Sequence, residues 1–367
     1  MVRASARITG FYTLWVYDMA LLWIDGFEGY TTANGTAVVV PMGRRYASIV
    51  GYGSSPISFT GRFGGLAIKT IDGNEQIWTP SLTTNDTLVV GAAVYMPTTH
   101  IMNGYDRHIF DFYDGSTQGI NLILRDDYLK VYRGATLLAT SSAPMGVVGG
   151  IWYYYEMKVK CNSTVGTYEV QFNGTTVIGL VGTGANTKGG TNNYHDVVKL
   201  QASAWTIPCW DDFYICDGSG SINNTLLGPQ QVKAIWLKAN GDTNDWSVGA
   251  GSGLHYTLTD ENPPDDNTTY VYSRVSGARE LYQLDPSPIT DNISGVQVNF
   301  TIRVDDIENK SYAASVRSGG NTVDSVLPSL TSPNYSDTHY IQETDPLTGN
   351  SWTKAGLDSV QLGLKIV

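Results

Sequence analysis

Apolar and polar residues alternate with a period of two along much of this chain. In 295–304, Val296, Val298, Phe300, Ile302 and Val304 take one side, and Gln297, Asn299, Thr301 and Arg303 take the other. That period puts successive side chains on opposite faces of a strand, so the apolar set is expected to face inward. Segment 152–161 follows the same rule, with Tyr153, Tyr155, Met157, Val159 and Cys161 sharing one face. Its other face mixes rings and charges (Trp152, Tyr154, Glu156, Lys158, Lys160), which predicts a partly exposed sheet surface. Segment 87–96 is apolar without a break, as in a central strand buried on both faces. No long stretch carries a helical period.

Turn formers punctuate these runs. Asn173-Gly174 joins 168–172 to 175–178, a strong hairpin signal because both turn positions need positive φ. Arg133-Gly134 repeats the plan between 128–132 and 135–138. Segment 210–216 reads as a strand stopped by Asp217-Gly218-Ser219-Gly220. After Gly228-Pro229 a new strand-like run begins, with Val232, Ala234 and Trp236 on one face. Further short strands are expected at 270–273, 312–317, 340–343 and 360–367, with one helical turn within 352–359. The fold class is all-β. The expected units are 19–228 and a smaller β-sandwich over 229–367.

Composition agrees. The 367 residues include 40 Gly, 23 Tyr and 9 Trp but only 16% charged residues, which suits short strands and tight turns. A net charge of −11 spread without blocks argues against a nucleic-acid backbone as partner. Cys161, Cys209 and Cys216 form neither a disulfide framework nor a zinc signature, so buried reduced thiols are expected. That usage suits synthesis in a reducing cytoplasm. Residues 1–18 place Arg3 and Arg7 before an apolar run interrupted by Asp18, too short to span a membrane. Met19 opens a natural start, so 1–18 is expected to be an upstream extension or N-terminal arm.

The stretches LLWIDGFEGY, GRFGG and DDFYICDGSGSINNTLLG, with the Asn-Gly hairpin, resemble the concanavalin A-like lectin/glucanase jelly roll of bacteriophage virion proteins. The segment from VKAIWLKANGDTNDWS to the C-terminus resembles the β-domain that accompanies it. The resemblance implies a virion part of the fibre or decoration type. Such a part is non-enzymatic, made in the host cytoplasm, and assembled with copies of itself and with capsid or tail proteins. Neither nucleic-acid binding nor membrane insertion is implied. A second reading is an adhesin that recognises host surface glycans.

Catalytic chemistry finds little support. The E-x-D-x-x-E motif of the glucanases is absent, and retaining hydrolysis needs two carboxyls about 5 Å apart. Asp211 and Asp212 are adjacent and should point to opposite faces. His100, His108, His195, His255 and His339 are scattered, and His195 reads as a solvated loop residue. The glycine-rich 182–190 lacks phosphate-loop spacing and reads as a flexible loop. Rings remain as glycan-binding candidates, namely Trp152, Tyr154, Tyr194, Trp205 and Trp210. The resemblance admits one metal, Ca2+, with Asp25, Glu28, Asp217, Asn223 and Asn224 as donors; the competing role for Asp217 and Asn223 is shaping a turn.

Overall fold

The computed structural model describes residues 19–30, 36–50, 57–70, 75–97, 104–202, 207–289, 292–304, 311–329 and 333–367. The expected N-terminal extension lies outside the described residues. The first strands are β1 (Leu21–Asp25), β2 (Ser48–Val50), β3 (Ile57–Thr60), β4 (Leu66–Lys69) and β5 (Gln76–Trp78). There follow β6 (Thr87–Tyr95), β7 (Arg107–Asp114), β8 (Thr117–Arg125), β9 (Tyr128–Arg133) and β10 (Thr136–Thr140). The set closes with β11 (Trp152–Lys160), β12 (Gly166–Phe172), β13 (Thr175–Ala185), β14 (Val197–Gln201) and β15 (Cys209–Asp217). A short helix, α1 (Thr36–Met42), precedes β2.

These strands make two antiparallel sheets. One runs β13-β12-β11-β6-β15-β4-β3, with β1 added against β15, and the other runs β10-β9-β8-β7-β14-β5-β2. Between them Leu88, Val90 and Val94 of β6 share a core with Phe110 and Phe112 of β7, and with Leu122 and Val131. Each such side chain contributes about 1.5–3 kcal/mol by leaving water. The order jumps along the chain, with β14 between β7 and β5, as in a lectin-like jelly-roll sandwich. Asn173 (φ 50) and Gly174 (φ 77) both take the left-handed region that the hairpin requires.

The second face of β6 is buried as well, since Val89 and Ala93 pack with Tyr154, Tyr214 and Cys216. The ring-and-charge face of β11 is partly exposed at Trp152, Lys158 and Lys160, as expected, but not at its middle. Tyr154 and Glu156 are fully buried. The chain after β15 lies over them, and Glu156 Oε1 accepts from Tyr214 Oη (2.6 Å), Leu227 N (3.0 Å) and Gly228 N (2.8 Å).

The C-terminal strands are β16 (Leu237–Asn244), β17 (Ser247–Ala250), β18 (Tyr270–Tyr272), β19 (Arg279–Leu284) and β20 (Val296–Ile302). They continue with β21 (Tyr312–Ser318), β22 (Asn321–Val326), β23 (Ser336–Gln342) and β24 (Gln361–Ile366). Five of them form the sheet β16-β19-β24-β21-β22, while β17-β18 and β20-β23 are separate pairs. Pairing starts at Leu237 rather than at Val232. Val296, Val298, Phe300 and Ile302 do pack toward the core, as their alternation predicts. The expected helical turn is α2 (Lys354–Ser359), capped where Thr353 Oγ1 accepts from Gly356 N at 3.0 Å. Among the described residues no helix is long and apolar enough to cross a membrane.

Strand β1 is where the two sets of sheets meet. Ala20 N and Leu21 N donate to the Glu343 carboxylate at 3.2 and 3.0 Å. Gln297 both accepts from Ile24 N and donates to Ile24 O, each at 2.8 Å. Side chains thereby satisfy an edge that would otherwise present open backbone groups.

Candidate carbohydrate-binding face

The β10-to-β2 sheet turns its apolar residues to the core and its polar ones outward. In β7, Phe110 and Phe112 enter the core, which leaves Asp111 and Tyr113 on the outer face. In β14, Val198 and Leu200 enter, leaving Lys199 and Gln201. In β5, Ile77 enters and leaves Gln76 and Trp78. Pairing then sets a row across the sheet: Tyr132 opposite Asn121, Asn121 opposite Asp111, Asp111 opposite Lys199, and Lys199 opposite Trp78. Directly opposed residues of antiparallel strands share a face.

Two rings anchor this row. Trp78 and Tyr113 have centroids 4.7 Å apart at an interplanar angle of 57°. Lys199 Nζ lies 4.8 Å from the Trp78 centroid and 4.6 Å from that of Tyr113. Cation–π attraction holds the ammonium there. Trp78 Nε1 donates to Gln76 Oε1 at 2.9 Å, which fixes the indole. Burial lowers the Lys199 pKa, with the Asp111 charge opposing it. Burial raises that of Tyr113, and Asp111 adds to the rise.

His108 Nδ1 lies 2.8 Å from Asp111 Oδ1 and 3.0 Å from Oδ2, and the Gln201 carboxamide approaches the same nitrogen at 2.8 Å. A carboxylate can only accept and the Gln201 Nε2 can only donate, so the tautomer of the ring decides which of the two Nδ1 serves. In a straight strand residues three apart face opposite ways. The register shift between His108 and Phe110 puts both on one face. Asn121 is 3% exposed, and its Oδ1 is buried with no hydrogen-bond partner. Leaving such an acceptor unmet costs about 1–3 kcal/mol.

The rings expected to bind glycan lie elsewhere. Trp210 is fully buried, its Nε1 donating to Ile109 O at 3.3 Å. Tyr154 is fully buried, its hydroxyl donating to Asp212 O at 3.1 Å. Trp152 is half-buried on the opposite sheet against Tyr95, with centroids 5.4 Å apart. Tyr194 is half-buried in the loop before β14. Trp205 lies outside the described residues. His195 is not solvated: it is 1% exposed, with Nε2 3.0 Å from Thr187 O. The expected loop over 182–190 is strand as far as Ala185.

The expected calcium donors do not assemble either. Asp25 accepts from Phe27 N, Tyr30 Oη and Tyr46 Oη, each at 2.8 Å. Asp217 accepts from Thr83 Oγ1 (2.7 Å) and Ser219 N (2.8 Å), the turn-shaping role. Asn223 Nδ2 donates to Ser294 O and Glu343 Oε1 at 2.8 and 2.9 Å, and Asn224 Nδ2 donates to Gly220 O at 2.9 Å. Asp25 pairs with Phe213 while Leu21 pairs with Cys216, so Asp25 and Asp217 lie at opposite ends of β1. Among the described residues no group of three or more His, Cys, Asp or Glu is placed to hold a metal.

Glu28 instead lies near Asp211, Asp25 and Asp212, and burial foremost, with those charges, raises its pKa to about 8. Arg62 already answers that cluster, its N–H donating to Asp211 Oδ2 at 2.7 Å and its Nη1 lying 3.4 Å from Asp212 Oδ2. The two adjacent aspartates therefore do not diverge. Asp212 has φ 52 and the register shifts between Asp211 and Tyr214, so both reach Arg62.

A cavity of about 1200 Å3 opens between β1 and the C-terminal strands, with Val298, Phe300, Leu362 and Trp246 among its walls. Its walls mix these apolar side chains with polar ones such as Glu28, Arg44, Glu261 and Asp266. The outer sheet face combines rings with an unmet polar atom and is the stronger site.

No protein-family model matches the sequence. No curated protein matches it either. Similar solved structures include alginate lyase Aly36B, at 13% identity over 55% of this chain and 98% of that one, with a TM-score of 0.39. The cellulose induced protein Cip1 shows 15% identity over 49% of this chain and 90% of that one, with a TM-score of 0.36. Domain 4 of AbnA, an extracellular arabinanase from Geobacillus stearothermophilus, shows 18% identity over 56% of this chain and 95% of that one, with a TM-score of 0.36.

Proposed function

We propose that this chain is a non-enzymatic carbohydrate-binding protein whose β9-β8-β7-β14-β5 face receives a glycan. The observation that carries this is the Trp78–Tyr113 ring pair set beside the row Asn121, Asp111 and Lys199. A sugar offers apolar C–H faces and hydroxyl edges, and this face has a partner for each. Asn121 Oδ1 is an acceptor that finds no donor among the described residues. Glycoside hydrolysis needs paired carboxyls, whereas Asp111 stands alone in its row and is engaged by His108. Titration of glycans against wild type and Trp78→Ala tests the reading. Removing an anchor ring should weaken binding by about tenfold or more. Undiminished binding by the variant counts against it.

The resemblance to bacteriophage virion proteins supports a location for this face. We propose a fibre or decoration appendage built from copies of this chain with capsid or tail proteins. Antibody labelling of purified particles tests the placement, and particles without label count against it.

A further inference from the structure

We infer that the face selects an acidic glycan, whose sugars carry carboxylate or sulfate, and that Lys199 meets the anionic group. This rests on the carbohydrate reading above. The first support is charge. The chain carries −11 overall, yet three cationic side chains, Lys199, Lys130 and Arg125, stand with Asp111 at paired outward positions of this sheet. Lys199 opposes Asp111, Lys130 opposes Ile123, and Arg125 opposes Tyr128. Arg125 is already matched by Asp106 and Asp126 at 3.4 and 3.9 Å.

The second support is the state of Lys199 itself. Its carboxylate neighbour, Asp111, turns both oxygens to His108 Nδ1 at 2.8 and 3.0 Å. Among the described residues no carboxylate lies within ion-pair distance of Lys199 Nζ, which rests on two ring faces while the residue is only 5% exposed. A nearly buried ammonium without a paired anion is unfavourable, and an incoming anion relieves it. Burial lowers its pKa for the same reason, with Asp111 opposing the shift.

Geometry supplies the third support. Asn121 lies across Asp111 from Lys199 in the same row. One sugar residue can place its charged substituent on Lys199 and lie along the row toward Asn121. A nucleic-acid strand fits less well, because a phosphate backbone needs a run of clustered cations.

The test is affinity electrophoresis and titration with polygalacturonate, dextran sulfate and neutral dextran, at low and high salt. The proteins are wild type, Lys199→Gln, Lys199→Arg and Trp78→Ala, each checked for native circular dichroism. Wild type should bind at least one acidic polymer and not dextran, more weakly at high salt. Loss of a charge-assisted contact in Lys199→Gln should weaken binding about tenfold, while Lys199→Arg retains most of it. Retention by polygalacturonate alone assigns a carboxylate, and by dextran sulfate alone a sulfate. Equal binding of dextran with Lys199→Gln unchanged overturns the inference and leaves the carbohydrate reading standing. Acidic-polymer binding indifferent to both Lys199→Gln and Trp78→Ala places the site elsewhere and also overturns it. No binding of any polymer by wild type overturns both.

Discussion

His108 Nδ1 and Asp111 Oδ1 stand 2.8 Å apart on one face of one strand, although three positions separate them in sequence. The bulge that makes this contact also engages the Asp111 carboxylate with His108 and leaves it unpaired with Lys199. Asp111→Asn removes that charge from beside the ammonium. Affinity for polygalacturonate should therefore rise by about threefold, a surface-scale Coulomb effect. Weaker binding would mean that Asp111 itself holds the ligand.

Stability should depend on pH through Glu28. Burial, then Asp211, Asp25 and Asp212, raise its pKa to about 8, and burial with Asp212 raises Asp211 to about 7. The unfolded carboxyls titrate near about 4, so folding favours the protonated forms. That contribution is complete below pH ~4 and is lost as pH rises toward ~8. Thermal unfolding of wild type and Glu28→Gln should show the variant gaining in relative stability from pH 5 to pH 8. A difference independent of pH contradicts the assignment.

Glu343 joins the sandwich to the C-terminal strands. It is 4% exposed and accepts from Ala20 N, Leu21 N and Asn223 Nδ2. Glu343→Ala strands those donors, at about 1–3 kcal/mol for each group left buried and unmet. Urea unfolding should show a clearly lower midpoint. An unchanged midpoint would show that β1 is held by its pairing with β15 alone.

The thiols should be inert in the native protein. Cys161, Cys209 and Cys216 are buried and unpaired, and burial raises Cys161 to about 11, Cys209 to about 12, and Cys216 further. The thiolate is the reactive form, so a thiol reagent should modify none natively and all on unfolding. Rapid modification of a native thiol contradicts this.

The strands were legible because their signal is local. The alternation of 295–304, the apolar run of 87–96 and the Asn173-Gly174 turn each specify an element within ten residues. The binding face was not, because its rows join β9, β8, β7, β14 and β5, and the last two lie far apart in sequence. Trp78, Lys199 and Asp111 become neighbours only once β14 inserts between β7 and β5. Inside single strands a weak signal existed: Lys199 between Val198 and Leu200, and Asp111 between Phe110 and Phe112. Trp210 and Tyr154 misled because a ring looks the same in a core as on a surface until its layer is known. Two bulges also broke the period-two rule, one uniting His108 with Asp111 and the other turning Asp211 and Asp212 both to Arg62.

A glycan should sit on the outer face of the β9-β8-β7-β14-β5 strands. Hydrogen–deuterium exchange of the full chain with and without polygalacturonate measures this strand by strand. Protection concentrated in β5, β7, β8 and β14 is the predicted result. Protection confined to β11, or to the cavity beside β20, would contradict it.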